Sequence, residues 1–356
     1  MTKKALKKLQ KQLLPDFQFG IDIIAESRGE CLFFSPLDFK INYGLSTMVR
    51  SLQSKTKNII FILLFIAPIF IIYTVFFVFP LISGLKVVFY ESKNAFLDQF
   101  VGFKNFRLLF KEEVFFSQLI NAVKNNLHFL LISLIGVNIF ALIFSFNFSI
   151  EKIKGNRFFL NTLFIPQILP IIAFGYVWSL FFNPSLGPYA KIIQLLKMPD
   201  VFSNLLGREQ TALSVIACIE ITRLLGFPLV IYYVAMNNIS GDIIDAAHID
   251  GASKTMLFFN IVIPMLSPVI IIANILMFIG SFIYFDLVYT MQGYLGSPSY
   301  STDVLGVFFY RITFGGHHGG GSPGIGAVIS LCMFVLMLVI SLTGMFFYNK
   351  LNKRIK

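Results

Sequence analysis

Long apolar runs separated by short polar segments dominate this chain. Six of the runs reach the roughly 20 apolar residues that a helix needs to cross a bilayer. They lie near residues 59–82, 128–147, 158–182, 211–236, 261–289 and 325–348. Lipid offers no partner to an open backbone, so each run is predicted to be a helix. Pro166 and Pro170 predict a kink in the third run. The pattern thus predicts an all-α polytopic membrane protein with six transmembrane helices.

The composition agrees with this prediction and divides the chain into three parts. Of the 356 residues, 56% are hydrophobic and 13% are charged, the latter about half the share in soluble domains. We predict a cytoplasmic N-terminal extension at 1–57, a transmembrane domain at 58–350 and a basic cytoplasmic tail at 351–356. Lysines and leucines occupy different faces near the N-terminus, which predicts a membrane-surface helix or a solvated basic tail. The first apolar run begins too far from Met1 for a cleaved signal peptide.

The net charge of +11 does not indicate a nucleic-acid-binding protein, because lysines and arginines gather at the termini and beside apolar runs. Such residues concentrate in cytoplasmic loops. We therefore predict that both termini, the 148–157 loop and the segment between the fourth and fifth runs are cytoplasmic. The outer 83–127 segment departs from the rule, since it also holds six Lys or Arg residues. Two of its stretches, 101–110 and 114–129, are predicted to be surface-lying helices.

The sequence carries no convincing catalytic or metal-binding constellation, so the chain is not predicted to be an enzyme. Neither a Ser/His/Asp arrangement nor a paired-carboxylate site is evident. Cys218 and Cys332 lie within apolar runs and Cys31 lies in the N-terminal extension, so no disulfide framework is implied. His317 and His318 lie in a glycine-rich stretch without a nearby cysteine or acidic ligand. This stretch is predicted to be a mobile outer loop rather than a metal site.

A short polar segment between the fourth and fifth runs has the pattern of two capped helices. Ser240 or Asp242 can cap the first helix, and Gly251 permits a sharp turn. A second short helix is predicted from Ser253 to just before Pro264. Two short helices at an angle would fit a groove in a soluble partner. The alternative is a solvated interhelical loop whose acidic residues only cap the helices.

The sequence DAAHIDGASKTMLFFNIVIP at 245–264 resembles the EAA loop of ABC importer permeases, with Asp245 in place of the usual Glu. The matching positions are Asp245, Ala246, Ala247, Asp250, Gly251, Ala252, Phe258, Ile261 and Pro264. The stretch FDLVYTMQG at 285–293 is similar to one in carbohydrate-type (MalF- and UgpA-like) permeases. Residues 294–296 interrupt the double glycine and proline that are usual there.

The resemblance implies the transmembrane permease subunit of an ATP-driven importer for an oligosaccharide or related polar carbohydrate, in the bacterial cytoplasmic membrane. The implied partners are a second permease subunit, two cytosolic ABC ATPase subunits and an extracytoplasmic solute-binding protein. The ATPases would bind ATP and Mg, and this chain no cofactor, which agrees with its lack of a GxxxxGK[ST] phosphate loop. The implied ATPase-coupling residues are Asp245, Ala246, Ala247, Asp250, Gly251, Ala252 and Phe258.

Polar residues within or beside the apolar runs are candidates for the substrate pathway. They are Asn138, Glu220, Arg223, Asn274, Asp286 and Tyr289. Glu220 and Arg223 lie three residues apart, so they either pair with each other or hold sugar hydroxyls in the pathway. Two other functions stay open. One is an ion-coupled secondary transporter in which Glu220 or Asp286 carries protons, and the other is a membrane scaffold that docks a cytosolic protein through residues 245–264.

Overall fold

The computed structural model describes residues 64–91, 99–151, 154–199, 202–281, 284–315 and 321–355. The chain divides into two compact units, Met1–Val78 and Phe79–Lys356. The predicted extension at 1–57, which includes Cys31, lies outside the described residues. The same holds for His317 and His318, so the roles assigned to both segments stay predictions.

Helices make up most of the described residues. The first, α1, is Leu64–Val87, and its turns at Thr74–Val78 have π geometry. An antiparallel hairpin follows, in which β1 (Tyr90–Glu91) pairs with β2 (Gln99–Phe100). The next helices are α2 (Lys104–Lys111), α3 (Glu113–Ser149), α4 (Asn156–Ile168), α5 (Ile171–Phe181), α6 (Pro188–Leu195), α7 (Ala212–Leu224) and α8 (Gly226–Asn237). The last are α9 (Gly241–Ile249), α10 (Lys254–Leu257), α11 (Ile263–Ser281), α12 (Asp286–Gln292), α13 (Leu305–Phe314) and α14 (Pro323–Ile355).

Between four and six membrane crossings fit the described part of the chain. Four helices are long and apolar enough to cross alone: α1, α3, the continuous stretch Lys254–Gly280, and α14. Two bent pairs, α4 with α5 and α7 with α8, each pass the same test as a unit. The expectation of a mainly helical membrane protein is therefore confirmed, and the short hairpin is its exception.

The third apolar run is broken rather than kinked. Helices α4 and α5 meet at an angle of 98°. Leu169 has an extended backbone, with φ −65° and ψ 139°, and Pro170 forms the N-cap of α5. A proline disfavours helical geometry in the residue before it, which explains why the chain opens at Leu169. Pro166, in contrast, is accommodated inside α4.

Residues 114–129 are helical as predicted, but they form the first turns of α3 rather than a separate surface-lying helix. This helix runs unbroken for 37 residues. At 1.5 Å per residue it is about 55 Å long, well beyond the roughly 30 Å thickness of a hydrocarbon core. The predicted helix at 101–110 is confirmed as α2.

The fifth run differs from its prediction at both ends. Its helix does not stop before Pro264 but continues from α10 through a π segment, Phe258–Val262, into α11. A proline ring clashes with the carbonyl four residues earlier, and this carbonyl lies in the widened π turn. Helix α11 then ends at Ser281, so Asp286 and Tyr289 belong to the separate helix α12.

Three apolar clusters hold the helices together. One joins α3, α7 and α12 through buried residues such as Phe129, Ile216 and Leu287. A second joins α3, α8 and α10, and a third packs α2, α3, α13 and α14. Helices α3 and α7 touch closely at Gly136, where an added Cβ would lie 2.2 Å from Ile221 Cδ1. A larger residue there would force the two helices apart.

Candidate functional site

The segment between α8 and α10 has the caps and the turn that its sequence predicts. The Ser240 hydroxyl accepts a hydrogen bond from the Asp242 amide at 3.3 Å and caps α9. The Ser253 hydroxyl accepts one from the Met256 amide at 3.3 Å and caps α10. Between them Gly251 has φ +78°, a conformation that glycine adopts without steric cost.

This segment presents one set of its candidate residues outward. Asp245, Ala246, Asp250 and Gly251 are all exposed. Two carboxylates and two small residues thus share an open surface. Such a surface allows close approach of another protein and charge-assisted hydrogen bonds to it.

The other candidate residues point into the protein. Ala247 is buried, and Ala252 and Phe258 pack against the second apolar cluster. The Phe258 ring meets Phe146 of α3 edge-on, with centroids 5.1 Å apart. These residues therefore attach the segment to α3 and α8.

Ile249, which the sequence analysis overlooked, is the most exposed large apolar side chain of this segment. It is 86% exposed at the end of α9, directly before the turn. A single exposed isoleucine is common on protein surfaces, but beside Asp250 it adds an apolar side chain to the open surface of this segment. Its position between His248 and Asp250 was the available signal.

An ion pair also ties the segment to α3. Lys254 at the start of α10 pairs with Glu151, two residues beyond the end of α3. Between them lies a groove of about 230 Å³ whose lining includes Phe146 and Phe258. The two charged residues are 103 positions apart, so no local pattern indicated their contact.

Among the pathway candidates, Glu220 and Arg223 pair with each other. Arg223 Nε donates to Glu220 Oε2 at 2.7 Å, and its Nη2 donates to the other carboxylate oxygen. The Glu220 side chain is 0% exposed, whereas that of Arg223 is 14% exposed. Tyr284 and Asp286 lie close enough to act electrostatically on Arg223. The carboxylate is thus held inside the protein, and the guanidinium reaches its edge.

Asn138 and Asn274 form a hydrogen-bonded junction between helices. Asn138 Nδ2 donates to Asn274 Oδ1 at 2.7 Å, and Tyr232 donates its hydroxyl to Asn138 Oδ1 at 2.7 Å. The three residues join α3, α11 and α8. Interhelical hydrogen bonds of this kind hold membrane helices together.

Asp286 and Tyr289 lie on the exposed side of α12, beside an aromatic cluster that sequence reasoning missed. Its rings are those of Phe285, Tyr289, Tyr310 and Phe314. Tyr289 lies 4.8 Å from Phe285 and 5.5 Å from Tyr310, and Tyr310 lies 5.1 Å from Phe314, between ring centroids. Tyr310 and Phe314 belong to α13, which the apolar-run pattern did not identify. Their spacing of four residues was the signal.

Helix α13 is fixed in place by a buried ion pair. Arg311 pairs with Asp303, and its Nη1 donates to Gln118 Oε1 of α3 at 3.2 Å. Asn121 and Asn125 donate to the Tyr300 carbonyl at 2.9 and 3.1 Å. These contacts hold the loop before α13 against α3 and so position Tyr310.

Within the described residues, no group of three or more His, Cys, Asp or Glu side chains could hold a metal ion. The described cysteines, Cys218 and Cys332, are free thiols.

Comparisons with known proteins fit this arrangement. Residues 138–356 match the family described as binding-protein-dependent transport system inner membrane component. The chain is 28% identical over 277 residues to the trehalose/maltose transport system permease protein MalF of Thermococcus litoralis, covering 77% of this chain and 89% of that protein. It is 28% identical over 254 residues to the lactose transport system permease protein LacF of Rhizobium radiobacter, covering 70% of this chain and 82% of that protein.

Solved structures share the fold. A crystal structure of a bacterial alginate ABC transporter, in complex with an alginate pentasaccharide-bound periplasmic protein, contains a chain that aligns with a TM-score of 0.65. That alignment is 22% identical and covers 83% of this chain and 95% of the other. The family match spans more than half of the chain and includes the whole capped segment. The chain therefore belongs to the family of binding-protein-dependent transport system inner membrane components.

Proposed function

We propose that this chain is the transmembrane permease subunit of an ATP-driven importer for an oligosaccharide or related polar carbohydrate. The observation that carries the proposal is the family match over residues 138–356, which contains the capped segment α9–α10. Two relatives are named as permease proteins of transport systems for trehalose and maltose and for lactose. These names support a carbohydrate substrate.

The family description and one solved complex support the proposed partners. A binding-protein-dependent system requires an extracytoplasmic solute-binding protein, and the alginate transporter was crystallised with its periplasmic protein. A second permease subunit and two cytosolic ATPases would complete the transporter. We infer that these ATPases bind ATP and Mg, and that ATP hydrolysis belongs to them rather than to this chain.

The outward face of α9 and the turn after it form the proposed docking site for an ATPase. Asp245 and Asp250 would pair with cationic side chains, and Ile249 would enter an apolar depression. The turn at Gly251 leaves open space in which the partner backbone can approach. Ala247 and Phe258, which pack inward, transmit the motion to α3 and α8.

Six crossings, with both termini and α9 on the cytoplasmic side, give the topology that this docking requires. The bent pairs α4–α5 and α7–α8 then count as one crossing each. Lys254 begins the helix that follows α9, and Lys154 and Arg157 belong to the 148–157 loop, which is predicted to lie on the same side. Basic residues concentrate in cytoplasmic loops, so all three favour this topology.

The substrate pathway is proposed to pass the aromatic cluster of α12 and α13. Tyr289 and Tyr310 offer ring faces to a sugar, and Asp286 and Arg223 offer groups that bind its hydroxyls. Arg223 is held in place by Glu220. Asn138 and Asn274 would shape the pathway through the helix junction that they form.

Uptake by proteoliposomes tests the proposal. The chain would be purified with the subunits that accompany it and reconstituted into vesicles that contain ATP. The solute-binding protein would be added outside the vesicles. We expect uptake of radiolabelled maltodextrins that requires ATP and survives the collapse of ion gradients. Uptake that continues without ATP under a proton or sodium gradient would instead show a secondary transporter. Lack of any uptake of a carbohydrate panel by an ATP-hydrolysing complex would overturn the carbohydrate assignment.

A further inference from the structure

Helix α2 carries aromatic and basic side chains on one exposed stripe that the proposed function does not use. The stripe consists of Phe103, Arg107, Phe110 and Lys111. Arg107 lies four residues from both Phe103 and Lys111 and three from Phe110, so all four share one side of the helix. All four are exposed, with Phe103 at 71% and Phe110 at 45%. An open groove of about 610 Å³ on this side is lined by Phe103, Lys104, Phe106, Arg107, Phe110 and Lys111.

The opposite side of α2 is anchored to the protein. Asn105 Nδ2 donates to the Val88 carbonyl at 2.9 Å and to the Tyr90 carbonyl at 3.0 Å. Leu109 is fully buried in the third apolar cluster, which also contains Val328 of α14. The anchored side faces the helix bundle, so the aromatic and basic stripe faces away from it.

The anchoring contacts also fix the level of α2 relative to the membrane. Val88 directly follows the last residue of α1, and Val328 lies in the first two turns of α14. Both helices are candidate membrane crossings, and one ends where the other begins. We expect this level to be the edge of the bilayer, where aromatic side chains concentrate on either surface.

The two cations of the stripe, Arg107 and Lys111, have no acidic partner among the described residues, whereas the neighbouring Lys104 has one. Lys104 Nζ forms an ion pair with Glu91 at 2.9 Å. Neither Arg107 nor Lys111 forms an ion pair with a carboxylate of the described residues. A guanidinium and an ammonium thus stand beside exposed phenylalanine rings.

We propose that the stripe of α2 binds the headgroup of an anionic phospholipid. Arg107 and Lys111 bind the phosphate, for which a guanidinium is well suited, and Phe103 and Phe110 contact the glycerol and the upper acyl chains. A water-soluble protein would match the charges. It would not explain why the rings face away from the helix bundle at the expected level of the bilayer edge. A zwitterionic lipid would match the rings but not the two unpaired cations.

Native mass spectrometry of the purified complex tests this proposal. The chain and its accompanying subunits would be equilibrated in bicelles with equal amounts of phosphatidylglycerol and phosphatidylcholine. The test variant is Arg107→Gln with Lys111→Gln, which removes both charges and keeps good helix formers. The control is Lys191→Gln, which removes an exposed lysine from helix α6. We expect the test variant to retain less phosphatidylglycerol, by about fivefold for each charge removed, and the control to match the unmodified chain.

Three outcomes would overturn the proposal. The first is unchanged retention of phosphatidylglycerol in the test variant. The second is an equal loss of phosphatidylglycerol and phosphatidylcholine, since charge recognition requires a selective loss. The third is the loss of a bound protein subunit with lipid retention intact, because α2 would then be a protein interface. None of these outcomes bears on ATP-dependent uptake, which tests the proposed function separately.

Discussion

At the scale of single residues, the conformation of Gly251 most directly shapes the proposed docking site. Its φ of +78° turns the chain between α9 and α10, and an added Cβ there would have no neighbour within 4 Å. The left-handed conformation costs an L-residue roughly 1–2 kcal/mol, less than the usual folding free energy of about 5–15 kcal/mol. A larger side chain would therefore project outward rather than unfold the protein.

We accordingly expect Gly251→Leu to leave membrane insertion and assembly intact but to separate ATP hydrolysis from uptake. The leucine would occupy the space into which an ATPase is proposed to fit. The measurement is the ratio of sugar transported to ATP hydrolysed in proteoliposomes, which we expect to fall at least tenfold. Gly102→Leu is the matched control, because Gly102 also has a positive φ of +56° and open space around a Cβ but lies outside the proposed docking site. Equal transport ratios in the two variants would count against docking at the turn.

At the scale of secondary-structure elements, the contact between α3 and the segment that begins with α10 links the proposed docking site to the membrane helices. It consists of the Lys254–Glu151 ion pair and the edge-on contact of Phe146 with Phe258. Lys254 is largely exposed, with 72% of its side chain accessible, so the pair contributes little to the free energy of unfolding. We expect the pair to act on the orientation of α10 instead.

We expect Lys254→Glu to lower the transport ratio a few-fold without changing the melting temperature. The like charges would push the start of α10 away from the end of α3. The double variant Glu151→Lys, Lys254→Glu restores an opposite-charge pair and should recover most of the loss. If the double variant transports no better than Lys254→Glu alone, the ion pair does not orient α10.

The sequence predicted the parts of this fold that local chemistry decides. Ser240, Gly251 and Ser253 were identified because caps and left-handed turns depend on residues a few positions apart. The apolar runs likewise located the long helices. The roles assigned to Asp245 and its neighbours stay predictions until docking is measured.

What the sequence did not predict depends on contacts between distant residues or on the balance of competing local preferences. Glu151 and Lys254 are separated in the chain by six helices, α4 to α9, and meet only when these have folded. Asp286 looked like part of the fifth run because apolar residues continue past Ser281, yet the helix ends there. Whether Glu220 and Arg223 would pair was undecided because helical spacing permits it without requiring it.

At the scale of the whole molecule, α3 connects the two proposed functional regions. Phe129 of α3 contacts Tyr284, just before the aromatic cluster, with ring centroids 4.8 Å apart. Phe146 of the same helix contacts Phe258 of the docking segment. The two positions are 17 residues apart, about 25 Å along the helix axis. One continuous helix therefore joins the proposed docking site to the proposed pathway and could carry motion between them.

This arrangement predicts that the two regions can be disabled separately. Tyr310→Ala removes a ring from the aromatic cluster and should lower sugar uptake roughly three- to tenfold, the value of one lost stacking contact. The basal ATPase activity of the complex should stay unchanged. Tyr310→Phe keeps the ring and is the control. A loss of uptake that is as large in Tyr310→Phe as in Tyr310→Ala would exclude stacking as the cause.

The sharp corner between α4 and α5 has a consequence for the surroundings of this helix pair. Pro166 and Pro170 lack an amide hydrogen, so the carbonyls of Thr162 and Pro166 lose the donors that a regular helix would supply. Hydrocarbon cannot compensate such oxygens. We therefore expect this corner to face a hydrated cavity or another subunit in the assembled transporter, which makes it the crossing least suited to contact lipid tails.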